Sequence, residues 1–118
     1  MKKIIILNQH NEILFNNAQM TTHFHERLSG LIGKPGLNDD SALCIIPCNG
    51  IHMFFMKYPI DVVFLNEKGE VIYLIKSMHT WTISKIVRHA QCVIEMPEKS
   101  IQKKEIALND QLKIISHE

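Results

Sequence analysis

Residues 61–65 and 70–75 are two runs of strand-forming apolar residues, and only the polar segment Asn66-Glu67-Lys68-Gly69 separates them. A short polar link ending in glycine between two such runs reads as an antiparallel hairpin. Ile72 and Leu74 fall on one side of the second run, and Val71, Tyr73 and Ile75 on the other. Apolar residues on both sides predict that the hairpin sits inside a sheet rather than at its edge. A chain committed to such a pairing must supply further strands to cover it, and the remaining sequence offers them.

Residues 4–7 and 13–15 flank Asn8-Gln9-His10-Asn11 and predict a second hairpin. Residues 42–46 form a run stopped by Pro47, residues 51–56 one closed by Tyr58-Pro59, and residues 91–96 one ended by Pro97. Residues 111–116 supply a last strand. A short helix is expected after Thr22, a good N-cap, because Phe24, Leu28, Leu31 and Ile32 recur at helical spacing. Gly30, Gly33, Pro35 and Gly36 should end it. Residues 77–90, around Trp81, have no firm period and read as loop with a helical turn. The expected fold is α+β: a single sheet-dominated domain over residues 1–118, with a curled or barrel-like, mostly antiparallel sheet and one or two short helices.

Charge narrows the function. Thirteen Lys and Arg against twelve Asp and Glu give a net +1, without the basic excess usual in nucleic-acid binders, so no nucleic-acid partner is expected. No window approaches the roughly 18 apolar residues of a spanning helix, and no membrane partner is expected. The apolar run after Met1-Lys2-Lys3 stops at Asn8, short of the roughly 7–15 residues of a signal-peptide core. These features lead to the expectation of a soluble, cytoplasmic protein. Three cysteines, Cys44, Cys48 and Cys92, are an odd number and fit reduced thiols better than a disulfide framework.

Four motifs carry a resemblance. Arg27-Leu28-Ser29-Gly30-Leu31-Ile32, the block from Ile51-His52-Met53-Phe54 through Tyr58-Pro59-Ile60-Asp61 to Val62-Val63-Phe64-Leu65, Gly69-Glu70-Val71-Ile72, and Cys92-Val93-Ile94-Glu95-Met96-Pro97 follow one another in the expected order. Together, over roughly residues 19–116, they resemble the family called domain of unknown function 192 (uncharacterised protein family 0127). Two positions depart from its pattern. Asn109-Asp110 replaces the usual Gly-Asp, and Lys99-Ser100 stands where a glycine is common. The resemblance implies a fold and motif positions but no reaction, since the family has no established activity. It also implies that Asp61 holds the family's most characteristic acidic position, and that a histidine at position 52 is common among its cytoplasmic-looking members.

The candidate site is a polar cleft near Arg27, His52 and Asp61. His52 lies in an apolar run and must satisfy its ring nitrogens with a fixed partner or point into a cleft. Asp61 can accept hydrogen bonds from turn amides, or pair with His52 or Arg27. Arg27 can reach an anion bidentately, or form an internal ion pair with Asp61, Glu95 or Asp110. Cys44-x3-Cys48-x3-His52 carries ligand types that suit zinc or copper, but Pro47 and Asn49-Gly50 break any helix that would stack them. A nucleophilic pair of Cys44 or Cys48 with His52 lacks an orienting third group. Cys92 alternates with Ile94 and Met96 and reads as a small buried residue.

The sequence thus points to a small non-catalytic binding or accessory domain with no metal and no cofactor, whose partner is a small ligand or a protein. One alternative is a metal- or thiol-dependent hydrolase using Cys44, Cys48 and His52. The other is a structural interaction module that offers a sheet edge to a partner chain.

Overall fold

The computed structural model describes residues 2–23, 39–54 and 56–116. The early apolar runs become β1 (Lys2–Leu7), β2 (Ile13–Thr21) and β3 (Ser41–Ile45). They are followed by β4 (Ile60–Leu65), β5 (Val71–Met78), β6 (Cys92–Pro97), a single-turn helix α1 (Ser100–Lys103) and β7 (Lys113–Ser116). The strands form one seven-stranded sheet in the order β5-β4-β6-β3-β2-β1-β7. Every neighbouring pair is antiparallel except β2 and β3, which run parallel with Asn17 opposite Ser41 and Thr21 opposite Ile45. The helix expected after Thr22, and Arg27 with it, lies outside the described residues.

All six residues of β4 are buried, because the strand is laddered on both sides, to β5 and to β6. The expected interior position therefore holds for β4 alone. β5 is an edge strand, like β7 at the other end of the sheet. Its two-sided apolar pattern comes from cover rather than pairing: Val71 and Leu74 pack into one core, while Ile72, Tyr73 and Ile75 pack against another.

The two cores lie on opposite faces of the sheet. The inner one gathers Ile4, Ile6, Phe15, Cys44, Val63, Leu65 and Ile94, and is closed by Ile101, Ile106 and Leu112. The outer one gathers Leu43, Ile45, Val62, Phe64 and Val93 beneath Ile51, Met53 and Met56. Residues 51–56 were expected as a strand and are not one. Ile51, Met53 and Met56 are buried while His52 and Phe54 are not, but the described backbone here makes one isolated bridge, His52 to Ile83, and lies over the sheet as its cover.

Nor does the sheet close into a barrel. Residues 109–112 approach the start of β5, where Val71 N–H donates to Asp110 O (2.8 Å) and Leu112 N–H to Gly69 O (2.9 Å). The contact there is the isolated bridge Glu70 to Gln111 rather than a ladder. Gly69 has φ +81°, and a Cβ on it would stand 2.6 Å from the Leu112 carbonyl oxygen. Only glycine fits this junction. Residues 77–90 hold no helical turn; the short helix comes later, at α1.

Candidate functional site

Asp61 is 1% exposed and shares the inner side of β4 with Val63 and Leu65. Its Oδ1 accepts the Ser77 amide and its Oδ2 the Ile101 amide, each at 2.9 Å. The carboxylate therefore ties the start of β4 to the far end of β5 and to the first turn of α1. Of the other carboxylates weighed as partners for Arg27, Asp110 accepts the Ala107 amide within its own turn (2.9 Å). Glu95 is wholly buried in β6, opposite Leu43 and Val62.

His52 belongs to a different part of the molecule. Residues 49–53 and 81–87 form an irregular two-stranded ribbon over the outer core. Met53 N–H donates to Thr82 O (2.7 Å), Ser84 N–H to Ile51 O (2.9 Å) and Val87 N–H to Asn49 O (2.8 Å). The Ile51 amide donates to Ser84 Oγ (3.0 Å). Ile51, Met53 and Val87 fill the core beneath this ribbon, so the alternate residues are turned outward. The expected meeting of His52 with Asp61 does not form, because one residue sits on the cover of the outer face and the other on the inner face of β4.

What surrounds His52 is aromatic. Its ring stacks on Phe54 at 4.7 Å between centroids, and Phe54 stacks on Trp81 at 5.7 Å. The Phe54 amide donates to His52 Nδ1 (3.3 Å). Trp81 is 59% exposed, Ile83 68% and Ile86 71%. Beside this shelf runs an open groove of about 400 Å³ lined by Gly50, Ile51, His52, Ile83, Ser84 and Ile86. Two other grooves have similar volumes and polar walls. One, of about 440 Å³, lies between Asn66–Glu70 and His89–Gln91; the other, of about 410 Å³, lies between the β1–β2 turn and Lys103–Ile106. Of these three the His52 groove has mainly aliphatic walls, the character of sites that bury part of a ligand.

The thiols divide differently from the Cys44-Cys48-His52 grouping. Cys44 and Cys92 are both free thiols buried on the inner face, on the neighbouring strands β3 and β6. The neighbouring Cys92 thiol, with burial, pushes Cys44 far above the usual thiol range, and the neighbouring Cys44 draws Cys92 down against the effect of burial. Cys48 is half-buried, packs against the outer core, and donates to Gly50 O (3.3 Å). Among the described residues there is no group of three or more His, Cys, Asp or Glu side chains placed to hold a metal ion. Nor, among them, is any helix long and apolar enough to cross a membrane.

Sequence reasoning passed over the groove and gave Trp81 little weight, although a signal was present. Residues 41–60 and 71–91 contain Lys57, Lys76, Lys85 and Arg88, with His52, His79 and His89, and no aspartate or glutamate. The rest of the chain holds nine basic and twelve acidic residues. The overall balance of +1 conceals this separation. The four cations are all exposed, and Lys85 Nζ lies 4.4 Å over the Tyr73 ring.

Comparison with known proteins gives a family and a fold. The model of DUF192, an uncharacterized ACR family, matches residues 5–114. No curated protein matches the chain. A crystal structure of a protein of unknown function from Novosphingobium aromaticivorans is 14% identical, with a TM-score of 0.70 over 93% of this chain and 82% of that one. A protein from Sinorhizobium meliloti, proposed to be a transcription regulator, is 13% identical, with a TM-score of 0.74 over 95% of this chain and 92% of that one. Likeness at this level of identity shows a shared fold.

Proposed function

The chain belongs to the DUF192 family, and from the geometry of its ribbon we propose that it is a small non-catalytic binding domain whose site is the groove at His52. One observation carries the reading. An aliphatic groove bounded by Ile83 and Ile86 opens beside a stacked His52–Phe54–Trp81 shelf, on a surface where Trp81, Ile83 and Ile86 are more than half exposed. Contiguous exposed apolar residues rimmed by polar ones mark binding surfaces. The ribbon is held by backbone bonds and by its own buried face, and Ile83 and Ile86 stand on its exposed side.

In this reading His52 is a contact residue, with a ring that offers a polar atom at the edge of an apolar site. Asp61 supports the fold behind the site. Arg27 is retained as an anion-pairing residue to be tested: loss of binding without loss of stability in Arg27→Ala would extend the site to it. The sheet-edge reading finds less support. Lys76 and Ser77 bulge out of β5 opposite Asp61, with Ser77 at φ 53°, and β7 has only four residues. Bulges, an edge lysine and short edge strands are devices that discourage pairing.

The test is titration with anilinonaphthalene sulfonate, an apolar dye that brightens when buried, on the wild-type chain and on the double variant Ile83→Ser/Ile86→Ser. The expected result is saturable brightening in the wild type that is lost in the variant, with the melting temperature unchanged. Equal brightening in both proteins would remove the groove as the site.

A further inference from the structure

Resting on the reading of the His52 groove as a binding site, we infer that its partner is an acidic peptide segment carrying a large apolar side chain. Two features of the same face determine this chemistry. The groove, at about 400 Å³, is lined by Ile51, Ile83 and Ile86 over Gly50, which suits an aliphatic or aromatic anchor. A Cβ on Gly50 would approach Ile86 Cδ1 to 3.0 Å, so glycine leaves room for Ile86 to lie against the ribbon. The segments that build the groove, 49–53 and 81–87, hold Lys85 and no carboxylate, and Lys57 and Arg88 follow them in the chain within four residues, both exposed. Charges of one sign around an apolar centre attract the opposite sign and reject like-charged partners. The acidic residues Glu67 and Glu70 line a separate groove with His89, at the β4–β5 turn.

The same observations weigh against two other anionic partners. A bilayer takes up an extended apolar face, whereas the exposed aliphatic residues here, Ile83 and Ile86, border one groove. Single-stranded nucleic acid stacks its bases on open aromatic faces and tracks a cationic groove. Here the rings of His52, Phe54 and Trp81 already stack on one another, and one of the cations, Lys85, is seated on Tyr73. A peptide uses what is present: one groove for an anchor, and the cations of the same and following segments for carboxylates beside it.

The experiment is selection of a phage-displayed random dodecapeptide library on the full-length chain, with the Ile83→Ser/Ile86→Ser variant as a parallel target. Trp81 is the only tryptophan in the sequence, so its emission then reports binding of each enriched peptide directly. The expected peptides have an excess of Asp and Glu around a Leu, Ile, Met or Phe, and shift Trp81 emission to shorter wavelength. Their affinity should fall about tenfold in Lys57→Glu/Lys85→Glu/Arg88→Glu, and also on raising salt. Enrichment of apolar peptides without acidic excess, absent on the serine variant, would overturn the acidic partner and leave the binding face standing. Identical enrichment on both targets, or none on the wild type, would overturn both. Phosphatidylglycerol vesicles or oligothymidylate that shift Trp81 emission at lower concentration than the enriched peptides would replace the peptide by a membrane surface or a nucleic acid.

Discussion

Asp61 Oδ1 accepts the Ser77 amide at 2.9 Å, and this bond holds the bulge that sets Lys76 and Ser77 opposite the single residue Asp61. The other carboxylate oxygen accepts the Ile101 amide at 2.9 Å. A buried amide that loses its acceptor carries the full cost of desolvation. Asp61→Ala should therefore destabilise the fold by about 3 kcal/mol, measured by urea denaturation. Asp61→Asn keeps one acceptor oxygen but turns an NH₂ toward the other amide, and should recover less than half of that loss. A change under about 1 kcal/mol in the alanine variant would mean that the clamp is not holding the three elements together.

Two non-glycine residues near α1 and β7 lie in the left-handed region, Lys99 at φ 75° and Asn109 at φ 74°. The N-cap of α1 is Lys99, and no side chain caps that helix. A non-glycine side chain in this conformation is strained by roughly 1–2 kcal/mol, less for asparagine. Lys99→Gly and Asn109→Gly should each stabilise the protein by about 0.5–1 kcal/mol after the entropy of a freer unfolded chain is counted. Lys99→Gly should give the larger gain. Thermal melts of the two variants check both the sign and the order.

Cys44 and Cys92 are buried free thiols, whereas Cys48 is half-buried at the surface of the outer core. Brief treatment of the folded protein with iodoacetamide should label Cys48 alone, as read by peptide mass spectrometry. Labelling in denaturant should reach all three. Native labelling of Cys92 at a rate comparable to Cys48 would show that β6 opens far more readily than its buried position implies.

Much of the sheet was legible because its strands announce themselves locally. The β4–β5 hairpin, the stop at Pro97 and the β1–β2 pair needed only alternation and turn residues. The edge position of β5 was not legible, since Tyr73 and Ile75 look the same in sequence whether a strand or a loop covers them. Residues 51–56 misled for a related reason. Ile51 and Met53 flank His52 as in a strand, but Met56 falls out of that period, and strand identity depends on a partner; among the described residues the bridge there is to Ile83. The site was half legible. His52 was found because a histidine in an apolar run demands an explanation. Its companions Ile83 and Ile86 were not, because residues 77–90 have no period and their role arises only when the ribbon pairs. Asp61 was recognised as a turn-amide acceptor, but that its acceptance links β5 to α1 is a long-range relation no local pattern contains.

The central claim is that binding occurs at the His52 groove and not at the two polar grooves of similar volume. Amide shift mapping by two-dimensional NMR, with a mixture of small apolar and acidic fragments, tests it most directly. The account predicts that perturbed amides cluster in residues 49–54 and 81–88 and are lost in Ile83→Ser/Ile86→Ser. Perturbations confined to residues 66–70 and 89–91, or to residues 8–14 and 103–106, would contradict it.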